Sequence, residues 1–358
     1  MEQRTAAPGN QGEISQVINV TNACNQRCIF CSRVKSLGPY KPVHIREAVR
    51  RFKDSLCFEG GEPTLFRDIL KWIRYAREEG VREIILVTNG YSLDNPSEAR
   101  KYLQAGITLF NVNLPAHTPA AYDALTQTCG NFAARVKAVR TLIRVAGGHR
   151  VRVTLVATSL IMPNLPDYVR FILREFPNLR YLEINFPKRL GNCVTRPWLI
   201  PTLAESRKPL LSALELLKAG SMQVITDGFP LCIMKGFEHC SIDAHVLFYE
   251  ERHHSFLREK IHCPPCARCS LAGICMGPRK DYVSRRDWSE LRPSRVLPAL
   301  VTAKIEKKRR SALAGPANER ESGRSRLQRA RKAVHGGRKL SPEPRPRALS
   351  PLDPPGVI

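Results

Sequence analysis

The sequence predicts an α/β protein: a partial (β/α)6 TIM-like barrel, with a small metal-stabilised C-terminal domain and a basic, disordered tail. Three observations predict it. Strand and helix patterns alternate through the first 190 residues, the rhythm stops where cysteine and proline become dense, and the chain ends in an aromatic-free stretch rich in Arg, Ser, Pro and Gly.

Six runs read as strands: 14–20, 55–58, 83–87, 108–113, 150–158 and 180–186. They are short, β-branched or aromatic, and bounded by turn residues. The clearest amphipathic helices between them are 45–53, 65–78, 131–145 and 165–175, with apolar positions three and four apart. Parallel βα repeats of this length close into a full or partial barrel, and chemistry gathers on loops at the C-terminal ends of the strands. The expected division is a flexible N-terminus over 1–13, a barrel core over 14–190, an auxiliary domain over 191–292 and a tail over 293–358. Within the tail, 311–355 cannot bury enough apolar surface to offset the entropy of ordering.

Of the 358 residues 43% are hydrophobic, yet none of them form the run of about 18 apolar residues that a membrane span needs. The first ten residues are polar, with no apolar core of a secretion signal, so a soluble cytoplasmic protein is expected. In that reducing compartment 12 cysteines point to metal binding or catalysis rather than disulfides. The net charge of +25 invites nucleic acid or an acidic partner. About 15 Lys/Arg against about 5 Asp/Glu fall in 301–358, so roughly +10 of it belongs to the tail.

The strongest chemical signal is Cys24-Asn25-Gln26-Arg27-Cys28-Ile29-Phe30-Cys31, a CxxxCxxC run directly after the first strand. Three thiolates on one loop can each hold one iron of a cubane and leave the fourth iron open. Positions i, i+4 and i+7 also share a helix face, but the polar entry through Asn22, Asn25, Gln26 and Arg27 disfavours a buried stripe, and zinc would want a fourth nearby ligand. The run resembles the CxxxCxΦC motif of the radical S-adenosylmethionine (radical SAM) enzymes, with Phe30 at the aromatic position. That resemblance implies a [4Fe-4S] cluster on Cys24, Cys28 and Cys31. Its open iron chelates S-adenosylmethionine, and electron transfer releases a 5′-deoxyadenosyl radical, the electron coming from a donor such as flavodoxin or ferredoxin.

Further residues carry the resemblance over roughly 14–192. Gly60-Gly61-Glu62-Pro63 matches the family's GGEP turn, whose glycines allow close approach to a ligand and whose Glu62 is expected to accept from the ammonium group of the methionine moiety. Thr88 and Asn89 match its TNG strand ending, and Asn113 the position that hydrogen-bonds the ribose. The segment Asn185-Phe186-Pro187-Lys188 ends the sixth strand and is a candidate substrate or adenine contact. Cys57, Cys129 and Cys193 are isolated and receive no role, and His117, His253 and His254 read as solvated loop histidines.

A second constellation runs through Cys232, Cys240, Cys263, Cys266, Cys269 and Cys275. The portion from Cys266 to Cys275 resembles the SPASM and twitch domains that carry auxiliary clusters in many radical SAM enzymes. That implies one auxiliary [4Fe-4S] site on Cys266, Cys269 and Cys275 with one upstream thiol, Cys232 before Cys240 or Cys263. The chain departs from the full SPASM pattern, with Arg279 where a cysteine is expected and none after Cys275; a structural zinc site is the rival. Modification of a peptide or protein substrate leads on this reading, although no leader-binding domain frequent in peptide maturases has room before Cys24. The alternatives are small-molecule or cofactor biosynthesis, as in the twitch-bearing first enzyme of molybdenum cofactor assembly, and a nucleic-acid-binding or RNA-modifying protein using the basic tail, which is less favoured.

Overall fold

The computed structural model describes residues 16–33, 38–248 and 258–313, with side chains to 308. Strand and helix alternate: β1 Val17–Thr21, α1 Pro42–Arg51, β2 Ser55–Gly60, α2 Ile69–Glu78, β3 Glu83–Thr88, α3 Pro96–Ala105, β4 Leu109–Asn113, α4 Pro119–Thr126, α5 Phe132–Ala146, β5 Val151–Val156, α6 Leu165–Glu175 and β6 Tyr181–Asn185. After a single turn, α7 Asn192–Thr195, come α8 Leu203–Ala219 and β7 Gln223–Asp227. All strands are parallel in the order β1 to β7, so each βα unit lays its strand beside the last.

The sheet thus has seven strands rather than the six expected, and runs past residue 190 to Asp227. Thr202 caps α8 by accepting from Glu205 N, while Glu205 returns a bond to Thr202 N, a reciprocal capping box. Pro209 inside α8 masked the helical pattern in the sequence.

Alternation along the strands separates two faces. Ile18, Leu56, Phe58, Leu86, Phe110, Val153, Leu182 and Ile184 are fully buried against the helices, each contributing roughly 1.5–3 kcal/mol. The other face carries Asn19, Cys57, Glu59, Asn111, Asn113, Arg152, Glu183, Asn185 and Asp227, all half-buried. It is turned to the inner side of the partial barrel, and its polarity sets it apart from the apolar face packed against the helices.

Beyond β7 the chain abandons the repeat. Short 3₁₀ turns link α9 Ile242–Phe248, α10 Lys280–Val283 and α11 Pro298–Leu313 around a small core of Leu231, Ala244, Leu271, Cys275, Val301 and Ile305. Structure therefore extends into the expected tail. Val301 and Ile305, four apart, bury one face of α11, and Lys308 Nζ donates to Val224 O of β7 at 3.1 Å. The part of the tail beyond Leu313, and the histidine pair 253–254, lie outside the described residues. Among the described residues no helix is long and apolar enough to cross a membrane.

Candidate active site

The cysteine loop follows β1 at the mouth of the barrel and is gripped on four sides. From α4, the carbonyls of Thr126 and Leu125 accept from Arg27 N and Ile29 N, both at 2.9 Å. Gln26 is buried and donates to the Tyr122 hydroxyl at 2.6 Å. From α7, Asn192 donates through its backbone to Cys31 O at 2.9 Å and through Nδ2 to Cys28 O at 2.8 Å. Phe30 is buried in the main core, which anchors the loop between Cys28 and Cys31. Of the thiols, Cys24 is exposed while Cys28 and Cys31 are half-buried. Burial, then the neighbouring thiols, push the Cys28 thiol up to about 12.

The glycine pair forms the third side. Gly61 N donates to Thr21 O at 2.7 Å and Glu62 N to Ala23 O at 2.8 Å, prolonging the β1–β2 pairing into the loop. A Cβ at Gly61 would stand 1.9 Å from Ala23 O, and one at Gly60, whose φ is +138°, 2.4 Å from Asn19 Oδ1. The backbone these glycines admit is that of the cysteine loop itself. Glu62 is fully buried and already satisfied: Oε1 accepts from Thr64 N, Thr64 Oγ1 and Thr88 Oγ1, and Oε2 from Asn89 N at 2.7 Å. Burial raises its pKa and these donors oppose the rise. In this structure Glu62 ties the turn after β2 to the end of β3.

The fourth side is Asn89, whose Nδ2 donates to Asn25 Oδ1 at 2.7 Å. Thr88 and Asn89 are therefore joined to the cysteine loop through Glu62 and Asn25, whereas Asn113 stands apart, half-buried at the mouth end of β4. Sequence reasoning singled out the thiols, glycines and Glu62, but not the roles of Asn25, Gln26, Tyr122 and Asn192. Their partners are carbonyls or side chains 64 to 164 residues away, which carry no local pattern.

Of the six thiols of the second constellation, Cys232 is within electrostatic range of three others. The charge of Cys232 is felt by Cys275, and those of Cys266 and Cys269 by Cys232. Sulfurs here accept backbone N–H donors: Cys275 Sγ from Gly277 N and Cys269 Sγ from Ser294 N, both at 3.3 Å. Cys263 neighbours Cys266. Cys240 faces elsewhere, receiving Lys308 Nζ at 3.8 Å. Among the described residues no three His, Cys, Asp or Glu side chains converge on a single-ion site.

Residues 18–168 match the model of the Radical SAM superfamily, so the chain carries a radical SAM domain over that span. More particular likenesses are partial. It is 28% identical over 166 residues to a protein of Methanocaldococcus jannaschii named "Probable GTP 3',8-cyclase", covering 43% of this chain and 53% of that one. A protein of the same name from Metallosphaera sedula is 35% identical over 121 residues, 32% of this chain and 38% of that one. The chain thus spans about half or less of these curated relatives. Among solved structures, "Native anSMEcpe with bound AdoMet" aligns with a TM-score of 0.52 at 14% identity, covering 84% of this chain and 98% of that one, a likeness of fold.

Proposed function

We propose that this protein binds a [4Fe-4S] cluster through Cys24, Cys28 and Cys31, cleaves S-adenosylmethionine reductively, and uses the resulting radical on a small molecule. The observation that carries the cluster assignment is the loop itself: three thiols on one backbone segment, fixed from α4, α7, the glycine turn and Asn89. A three-thiolate set fits a cubane because each sulfur takes a separate iron and one iron stays open. When bound, that group supplies the electron that homolyses S-adenosylmethionine to a 5′-deoxyadenosyl radical. The chain's own part is orientation and exclusion of water. Glu62, Thr88 and Asn89 hold the two strand ends beside the thiols in register, and Asn113 offers an amide at the mouth. Cys232, Cys266, Cys269 and Cys275 fit an auxiliary cluster of SPASM or twitch type, and backbone N–H donors to two of these sulfurs suit an iron–sulfur site, where such bonds tune the potential.

The small-molecule reading takes precedence over peptide modification because the curated relatives are named for the cyclisation of a nucleotide. Peptide modification and nucleic-acid binding remain outcomes of the test rather than parts of the proposal. Anaerobic reconstitution should give about eight irons per chain, falling to about four in Cys28→Ala. Given a strong reductant, S-adenosylmethionine and GTP, the wild type should form 5′-deoxyadenosine and a nucleotide of altered retention, and Cys28→Ala neither. Absence of deoxyadenosine from the wild type would sink the radical reading. Product formation only with peptides would replace the substrate class.

A further inference from the structure

A buried cation beside the cysteine loop has no part in the reading above. Arg135 lies in the first turn of α5 and is 4% exposed. Among the described residues it forms no ion pair, and its Nε has no hydrogen-bond partner. Its guanidinium instead lies over the ring of Tyr91, 5.5 Å from the centroid, two residues beyond Asn89. A helix start carries partial positive charge of its own, so a cation there is disfavoured twice, by burial and by the helix dipole. Contact with an aromatic face offsets only part of that cost.

The group that links Arg135 to the first thiols is the Tyr122 hydroxyl of α4. Burial pushes this hydroxyl up to about 12, the charge of Arg135 holds it down and that of Cys28 adds to the rise, so both charges reach one oxygen. Hydrogen bonds complete the path. Tyr122 accepts from Gln26 Nε2 at 2.6 Å, and Gln26 Oε1 accepts from Cys28 Sγ at 3.3 Å. The backbone N–H of Gln26 also donates to Cys24 Sγ at 3.4 Å. One buried residue thus touches two of the three thiols, with Tyr122 and then a lone cation behind it. Net charge and hydrogen bonds to the sulfurs are among the factors that set the reduction potential of an iron–sulfur cluster.

We infer that Arg135 is the buried counter-charge of the first cluster and, acting through Tyr122 and Gln26, raises its reduction potential. The inference rests on the cluster assignment and deepens it. A cubane on three thiolates is an anion and reduction adds a further negative charge, so a buried cation nearby stabilises the reduced form. Iron takes the place of the Cys28 proton, after which the sulfur can only accept. Gln26 then meets it with Nε2 and receives the Tyr122 proton on Oε1, which leaves the hydroxyl oxygen to Arg135. Every donor in the chain now runs from the cation toward the sulfur, and such chains polarise one another. Because it acts through two other side chains, Arg135 is a positioning residue rather than a catalytic one.

The test is an anaerobic redox titration of the reconstituted full chain, followed by the electron paramagnetic resonance of the reduced cluster. The signal of the first site is the one that Cys28→Ala abolishes. In Arg135→Gln the ratio of reduced to oxidised cluster at a fixed potential should fall about tenfold, as loss of a charge-assisted contact predicts, which is a downward shift of about 59 mV for a one-electron couple. Arg135→Lys keeps the charge and should stay within about threefold of the wild type, while Tyr122→Phe, which lacks only the hydroxyl, should fall by about threefold. Iron content should match the wild type in all three. A merely structural role would lower iron content or stability and leave the potential of the remaining cluster where it was. An unchanged potential in Arg135→Gln would overturn the inference; should that variant fail to hold iron, an unchanged potential in Tyr122→Phe would do so. A wild type that binds no cluster would overturn the cluster assignment and the inference with it, whereas one whose cluster ignores both substitutions would overturn the inference alone.

Discussion

The two cysteine regions are built on opposite principles. The first loop hangs from a large sheet and needs only to be oriented: its backbone is fixed by bonds from α4, α7 and the glycine turn, and its aromatic Phe30 sits in the main core. The second region has six buried residues at the centre of its own core, one of them the thiol-bearing Cys275. With no sheet of its own among the described residues, it borrows order from β7, from α11 and, on the reading above, from a metal cluster. A small unit of this kind should be sensitive where a large core is indifferent, and the reverse should hold for close backbone contacts.

The contrast can be broken most sharply at Lys260, which is nearly inaccessible and joins the second region to the sheet by pairing with Asp227 of β7 and Asp243 of α9. Lys260→Ala leaves the buried Asp243 and the half-buried Asp227 without their shared cation and should cost about 3–5 kcal/mol, read from the urea midpoint. Lys260 holds Asp227 below its ordinary value although burial alone would raise it. That part of the stability is present above the unfolded pKa of about 4 and lost as pH falls through the folded value. Asp243, raised by burial, opposes it. The deficit of Lys260→Ala should therefore narrow in acid.

Next in size is Ile305→Ala on α11, expected to cost about 2–5 kcal/mol through the cavity it leaves. Limited proteolysis should then cut within 258–313 while the βα core survives; simultaneous loss of both regions would show that they fold as one unit.

The reverse test uses glycines. Gly61→Ala places a methyl against Ala23 O and should cost about 1–3 kcal/mol and lower iron retention at the first site. Gly273→Ala meets nothing within 4 Å, and its effect should stay within about 0.5 kcal/mol. The smallest effect is expected at the α8 cap, where Thr202→Ala should cost about 1 kcal/mol in thermal or urea unfolding. Glu205, held below its usual value by Thr202, returns one of the two capping bonds, so that contribution fades once the pH falls through its lowered pKa.

What could be read from the sequence followed the range of each signal. Cys24, Cys28, Cys31 and the Gly60–Glu62 turn announce themselves within a few residues, and strands β1 to β6 by alternation. The α8–β7 unit escaped because Pro209 interrupts a helix and β7 is only five residues long. The helix α11 escaped because, among its described side chains, Val301 and Ile305 alone are fully buried amid lysines, so its pattern reads as a solvated charge run. In the site, Glu62 was read as a group awaiting a cation. The structure shows four donors from its own chain, which no local pattern distinguishes.

One consequence follows from the way the second region meets β7. An outermost parallel strand presents unpaired amides and carbonyls that invite a neighbouring molecule to add itself to the sheet. Here Lys308 takes the Val224 carbonyl and Ser241 bridges Thr226 in parallel register, so this border is occupied by the protein's own chain. A version of the protein ending at Asp227 would keep every residue of the first thiol loop and still be a poor reagent. It would offer a raw sheet margin to its copies, and self-association would remove it from solution before its chemistry could be measured.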